Sequence, residues 1–257
     1  MSVARLTTMK IDLNCDLGES FGAWVIEDAP LMEIITSVNI ACGFHAGDAS
    51  VIRRTVELAI SKNVAIGAHP SFPDLQGFGR REMNLSPDEI LDITLYQVAA
   101  LQGIVRAHGG ALHHVKPHGA LYNSAAKSPI QAAAMARAVK MLDPNLIFYG
   151  LAGSELVTQA KKINLRTASE GFADRTYQAG GSLTPRSQPK ALITNADQAA
   201  SQIIEMVVDQ TVTTIDNIKI PLRVETICLH GDGKNALRFA RVIREKLTDY
   251  GVSIQTI

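Results

Sequence analysis

Eleven polar residues lie at the ends of short apolar runs or just beyond them: Asp12, Asn14, His45, His69, Lys116, His118, Glu170, Asp174, Arg175, His230 and Asp232. Their types suit acid–base and electrostatic chemistry on a small polar substrate. Imidazoles and carboxylates exchange protons near neutral pH. A lysine brings a compact charge to an oxyanion or phosphate. A guanidinium, Arg175 or Arg80, grips a carboxylate through two parallel hydrogen bonds. Asp12 and His45 are candidate bases, and Lys116 and His118 complete the candidate catalytic set. Asn14, His69, Glu170, Asp174, Arg175, His230 and Asp232 form the candidate binding set. One carboxylate with several imidazoles also suits a divalent metal, for which Asp12, His45, His69 and His230 are the candidates. No HExxH pair supports that metal locally, and no GxxxxGK[ST] or strand-linked GxGxxG marks a nucleotide loop.

Each residue also has an ordinary structural explanation. A single histidine after a strand is more often a hydrogen-bonded loop residue than a catalyst. Four of the seven histidines closing separate runs are harder to dismiss. His113 and His114 are adjacent within a strand, so at most one faces the interior, as a satisfied core histidine. His108 suits a helix C-terminus. Asp16 and Glu19 read equally well as caps of the following turn, Asp174–Arg175 as an ion pair, and Arg80–Arg81 as a solvated loop or an anion clamp.

The elements that must position these groups alternate. Residues 10–16 alternate apolar and polar, which places Asp12, Asn14 and Asp16 on one face of a strand. Further strands are expected at 38–43, 64–68, 111–115, 146–149, 166–170 and 226–229. Pro117 and Gly119 stop the fourth. Asp48 is an N-cap for the apolar series Ile52, Val56, Ala59 and Ile60. Ser86-Pro87-Asp88-Glu89 is a capping box that opens a helix to about His108, ended by Gly109-Gly110. Other helices are expected at 130–142, from Gly153-Ser154 to Lys162, at 197–208 and at 235–250; short strands complete 177–223. Seven strands alternating with helices imply a parallel sheet. Polar residues after nearly every strand favour a closed ring over an open sheet, whose ligands gather at one switch point. The expected fold class is α/β, a single seven-stranded, irregular (β/α) barrel spanning residues 1–257.

Twenty-five basic residues balance twenty-five acidic ones, so no global field invites nucleic acid or a membrane surface. Three cysteines, without a CxxC pair, argue against a disulfide framework and for a cytoplasmic chain. No apolar run approaches the roughly 18 residues of a membrane span.

Six motifs carry a specific resemblance: DLNCDLGE (12–19), NIACGFHAGD (39–48), GAHPSFPD (67–74), KPHGALYN (116–123), FADR (172–175) and CLHGD (228–232). In this order they resemble the LamB/YcsF family of 5-oxoprolinase A subunits. The resemblance implies ATP-dependent opening of 5-oxo-L-proline to L-glutamate, with partner subunits B and C. It also implies a barrel related to the glycoside hydrolase and polysaccharide deacetylase barrels. Without a phosphate loop, ATP would be handled wholly or partly by the partners, or by a site that leaves no sequence signature. Two rivals stay open: a stand-alone metal-dependent amide or ester hydrolase, and a non-catalytic lactam-binding subunit. The likeness is loosest near 180–191, where Lys190 stands at an expected glycine.

Overall fold

The computed structural model describes residues 9–230 and 236–257, the side chain of His230 excepted. Asp232 and the His230 side chain therefore lie outside the described residues. Seven strands, all parallel, close into one barrel: β1 (Lys10–Leu17), β2 (Ser37–Ala41), β3 (Ala65–His69), β4 (Leu112–Val115), β5 (Ile147–Leu151), β6 (Arg166–Phe172) and β9 (Thr226–His230). The ring is sealed where β9 pairs with both β6 and β1. Between β6 and β9 the chain makes an excursion that includes the antiparallel hairpin of β7 (Thr211–Thr213) and β8 (Lys219–Pro221). A two-residue strand, β10 (Ser253–Ile254), adds to the outer edge of β1.

Among the described residues, eight helices accompany the strands: α1 (Ala29–Met32), α2 (Ala49–Ser61), α3 (Pro87–Ala107), α4 (Gly119–Ala125), α5 (Pro129–Leu142), α6 (Glu155–Lys162), α7 (Ala196–Ile204) and α8 (Ala236–Asp249). Local chemistry sets their starts. Asp48 accepts from the backbone of Ser50 and Val51, and Ser86 and Glu89 satisfy each other's backbone N–H groups. Four elements differ from the sequence expectation, the first being α1, which falls where no element was expected. Gly119–Ala125 forms α4, where only the stop of the fourth strand was expected. α7 stops at Ile204 and continues as a π-turn, Glu205–Asp209. β10 is too short to leave a periodic signal. Lys190, at the expected glycine, takes a left-handed backbone with φ of 60°.

The apolar core lies outside the ring, between strands and helices, where Leu13, Cys15, Leu17, Val38 and Ile40 are buried against helical side chains. Inside the ring the side chains are polar. Asp12, Asn14 and Asp16 of β1 face Asn39, Lys116, Glu170 and Thr226 through direct hydrogen bonds, and His114 joins them through Asn39. Barrel interiors are more often filled with branched aliphatic side chains. A polar interior is stable only where every group has a partner, since an unpaired one costs its full desolvation.

Candidate active site

At the C-terminal end of the ring, Lys116 is the central cation. It is 2% exposed, yet its Nζ lies 2.8 Å from Glu170 Oε1 and 2.9 Å from Asp16 Oδ1. It also donates to Asn14 Oδ1 at 3.0 Å and rests over the Phe172 ring at 5.5 Å. Burial works against the ammonium, but Asp16 foremost among the neighbouring negative groups holds its pKa well above the usual lysine value. Tyr122 Oη donates to the other oxygen of Glu170 at 2.7 Å. Burial, then Glu170, pushes this phenol up, so it stays a donor.

Beside the lysine, three imidazoles pack into one block. The His45 and His118 rings are stacked 3.8 Å apart, and His69 meets both edge-on. Glu19 Oε1 lies 3.1 Å from His45 Nε2 and 3.6 Å from His118 Nδ1. Burial and the neighbouring imidazoles depress the pKa of both His45 and His118 well below the usual value. Phe78 covers the block edge-on, 5.5 Å from His45 and 5.2 Å from His118. Its loop is clamped by Asp74, which accepts from the Gly77 backbone and the Arg81 guanidinium. The backbone there is strained to fit, because Phe78 has φ of 54°. At Gly79, also left-handed, a Cβ would come within 2.9 Å of His45 and 2.8 Å of His118, so no side chain fits.

A cavity of about 1320 Å³ opens over these groups and reaches Asp16, His69, Lys116, His118 and Tyr122. Arg80, Lys127, Lys161, Arg175, Arg186 and Arg223 line its walls, so the field at its mouth favours an anion. Arg175 is buried and donates to the Thr184 carbonyl at 2.6 Å, while its Nε has no partner among the described residues. Burial, followed by Arg186, brings its pKa down to about 10. Ser154 Oγ, another wall group, is likewise buried without a hydrogen bond among the described residues.

The expected residues divide accordingly. His45, His69, Lys116, His118 and Glu170 converge, Asn14 supports them from below, and Arg175 stands on the cavity wall. Asp174 is half-buried beside Arg175, and its carbonyl accepts from Ile193 N–H. Asp12 is a correction: it stands near the start of β1, at the opposite end of the ring. There Thr36, Ser37, Tyr149 and Thr226 all donate to its carboxylate. It is therefore neither a rim base nor a partner of the imidazoles in holding a metal. Asp16 occupies the position expected of it. Glu19 supplies the carboxylate to the histidine block, so among the described residues the four groups that could hold a metal are Glu19, His45, His69 and His118. His114, the inward member of its pair, is a satisfied interior histidine, 2.8 Å from Asn39 Oδ1.

The sequence matches the LamB/YcsF family over residues 11–257. The chain belongs to that family. It is 55% identical over 245 residues to the 5-oxoprolinase A-subunit protein of Brevibacillus brevis, covering 95% of this chain and 96% of that one. The Bacillus subtilis protein of the same name is 53% identical over 249 residues, covering 96% and 97%. A solved family structure, the "Lactam Utilization Protein" of Thermus thermophilus, superposes with a TM-score of 0.91 at 44% identity, covering 97% of this chain and all of that one. Among the described residues, no helix is long and apolar enough to cross a membrane.

Proposed function

We propose that this chain is the A component of an ATP-dependent 5-oxoprolinase, opening 5-oxo-L-proline to L-glutamate together with partner subunits B and C. The observation that carries this reading is the Lys116 ammonium, pinned between Asp16 and Glu170 on the floor of an anion-favouring cavity. The family's curated relatives supply the substrate class.

A five-membered lactam is a resonance-stabilised amide whose ring closure is favoured, so water alone opens it poorly. Transfer of a phosphoryl group from ATP to the lactam oxygen, with ADP leaving, makes the ring carbon electrophilic. Water then adds to that carbon, the C–N bond breaks, and nitrogen takes a proton. The resulting acyl phosphate is split by a second water into glutamate and phosphate. Lys116 neutralises the charge that grows on oxygen or phosphate. Asp16, the cavity-facing carboxylate, accepts the proton from water, since an activated electrophile needs only a weak base. Glu170 orients Lys116 with Tyr122, and Arg175 offers its spare Nε–H to the substrate carboxylate. This sequence has no phosphate loop, so ATP is handled wholly or partly by the partners or by a site that leaves no sequence signature.

The test is glutamate formation from 5-oxoproline by the purified chain, with and without ATP and the candidate partners. Turnover only in the complete mixture is the expected result. Turnover by the isolated chain without ATP would instead mark a self-sufficient hydrolase. Tight lactam binding with turnover indifferent to changes at Asp16 and Lys116 would mark a protein that only carries the substrate.

A further inference from the structure

The histidine block contains too few protons for its contacts. His69 Nδ1 lies 2.7 Å from the Lys116 carbonyl, and His118 Nε2 lies 2.9 Å from the Phe78 carbonyl. A carbonyl only accepts, so both of these ring nitrogens carry hydrogen. His45 Nδ1 lies 3.0 Å from Ser71 Oγ, whose own hydrogen goes to the Phe72 carbonyl at 2.9 Å. With the hydroxyl turned to that carbonyl, His45 Nδ1 is a donor too. In neutral imidazoles the inner nitrogens, His45 Nε2, His69 Nε2 and His118 Nδ1, are then bare lone pairs.

Those lone pairs face other acceptors. His118 Nδ1 is 2.9 Å from His69 Nε2, and His45 Nε2 is 3.1 Å from Glu19 Oε1. Asp16 Oδ2 adds a further acceptor 3.3 Å from His69 Nε2. One extra proton on His69 Nε2 serves both His118 Nδ1 and Asp16 Oδ2 but leaves His45 Nε2 opposed to Glu19 Oε1. One small dication at the centre relieves them all.

We infer that Glu19, His45, His69 and His118 are the ligands of a single divalent transition-metal ion of the zinc class. The four donor atoms lie within 4.8 Å of one another, and all four residues are buried. Separations of 2.9, 3.1 and 3.6 Å lie near the edge of about 3.3 Å that a tetrahedron of ~2.05 Å bonds requires, the whole set spans up to 4.8 Å, and the parallel His45 and His118 rings turn toward each other when both lone pairs take one ion. Three nitrogens and one carboxylate oxygen suit zinc, cobalt or nickel better than calcium or magnesium, which prefer all-oxygen shells. The outer nitrogens already hold the backbone and hydroxyl partners that fix the tautomer of a metal-binding histidine. Phe78 keeps water from one side, and His69 and His118 present the other side to the cavity. This inference stands on the proton count and donor geometry alone, and holds whether or not the lactam is the substrate.

The experiment is metal analysis of the full chain as purified, followed by chelator stripping and calorimetric titration with zinc chloride and, separately, cobalt chloride. The expected result is about one ion per chain, a thermal midpoint that rises on reloading, and a visible cobalt spectrum of four-coordinate nitrogen–oxygen type. His118→Ala and the smaller change Glu19→Gln each weaken zinc binding by more than the roughly 10–100-fold that loss of an outer partner costs. Asp12→Asn, at the far end of the ring, leaves it unchanged. A folded wild-type chain that takes up neither ion, or one whose affinity is untouched in both ligand variants, overturns the assignment. Normal metal binding in a chain without lactam turnover would leave it standing and refute only the functional proposal.

Discussion

The two ends of the barrel bury carboxylates equally deeply and use them oppositely. At the N-terminal end, Asp12 receives hydroxyl hydrogens from Thr36 and Ser37 on one oxygen, both at 2.7 Å. Its other oxygen receives Thr226 at 2.5 Å and Tyr149 at 3.2 Å. The network is closed and saturated, and the cavity does not reach it. At the C-terminal end, Asp16 and Glu170 share a lysine, Glu19 faces lone pairs, and Arg175 Nε and Ser154 Oγ have unmade hydrogen bonds among the described residues. A satisfied buried network locks a structure. One with spare donors and a cavity above it is prepared to bind something.

The contrast breaks most readily at Lys116. Replacing it by methionine leaves Asp16 and Glu170 buried without their cation, which costs about 3–5 kcal/mol of stability. It also removes the group that neutralises the reacting oxygen, so turnover per folded molecule in the complete mixture falls on the order of 10²–10³-fold. Circular dichroism at the assay temperature separates the two effects. Normal turnover by the folded variant would move the active site away from this end.

The mirror experiment is Asp12→Ala. Four hydroxyls lose their acceptor, and we expect a loss of about 3 kcal/mol, or roughly 6–12 °C in thermal midpoint for a chain of this size. Turnover per folded molecule stays at the wild-type value. A folded but inactive Asp12→Ala chain would show that the saturated end takes part in the chemistry after all.

These two residues also mark how far the sequence could be read. Period-two alternation places Asp12, Asn14 and Asp16 on one face, and the structure has them so. Alternation does not say which of the three reaches the rim. At about 3.3 Å per residue, Asp12 lies roughly 13 Å below Asp16, a whole barrel height apart. The seven strands were legible because each is a short apolar run closed by polar or turn residues. α4 was hidden because Gly119 and the tight KPHGALYN motif resemble the end of a strand. Its first turn packs on the neighbouring loop, with Ala120 N–H bonded to the Gly79 carbonyl. Glu19 left no signal distinguishing it from a turn residue; its partners, His45 and His118, are set by closure of the ring.

A smaller test probes the support of the active end. Tyr122→Phe removes one hydrogen bond to an ionised acceptor, Glu170, worth about 1.5 kcal/mol. Glu170 then holds Lys116 less firmly, so kcat falls about tenfold while KM for the lactam changes little, the pattern of an interaction that matters most in the transition state. Equal losses in kcat and in stability across several solution conditions would reduce Tyr122 to a packing residue.

The smallest effect, at Tyr149, asks whether the two ends communicate. Its hydroxyl makes the longest of the four bonds to Asp12, and its ring is stacked on His114 at 4.1 Å. His114 bonds to Asn39, and Asn39 donates to Asp16 at 2.8 Å. A continuous column therefore joins the saturated end to the reactive one. Each link in it is satisfied and packed, which makes it a rigid spacer with no second arrangement to adopt. Tyr149→Phe should cost about 0.5 kcal/mol and leave turnover unchanged. Combined with Lys116→Met, its stability effect should add to within about 0.5 kcal/mol, as for sites without shared partners. Coupling beyond that, or a drop in turnover at unchanged thermal midpoint, would mean that the column transmits what happens at Asp12 to the lysine, and that the two ends are one site.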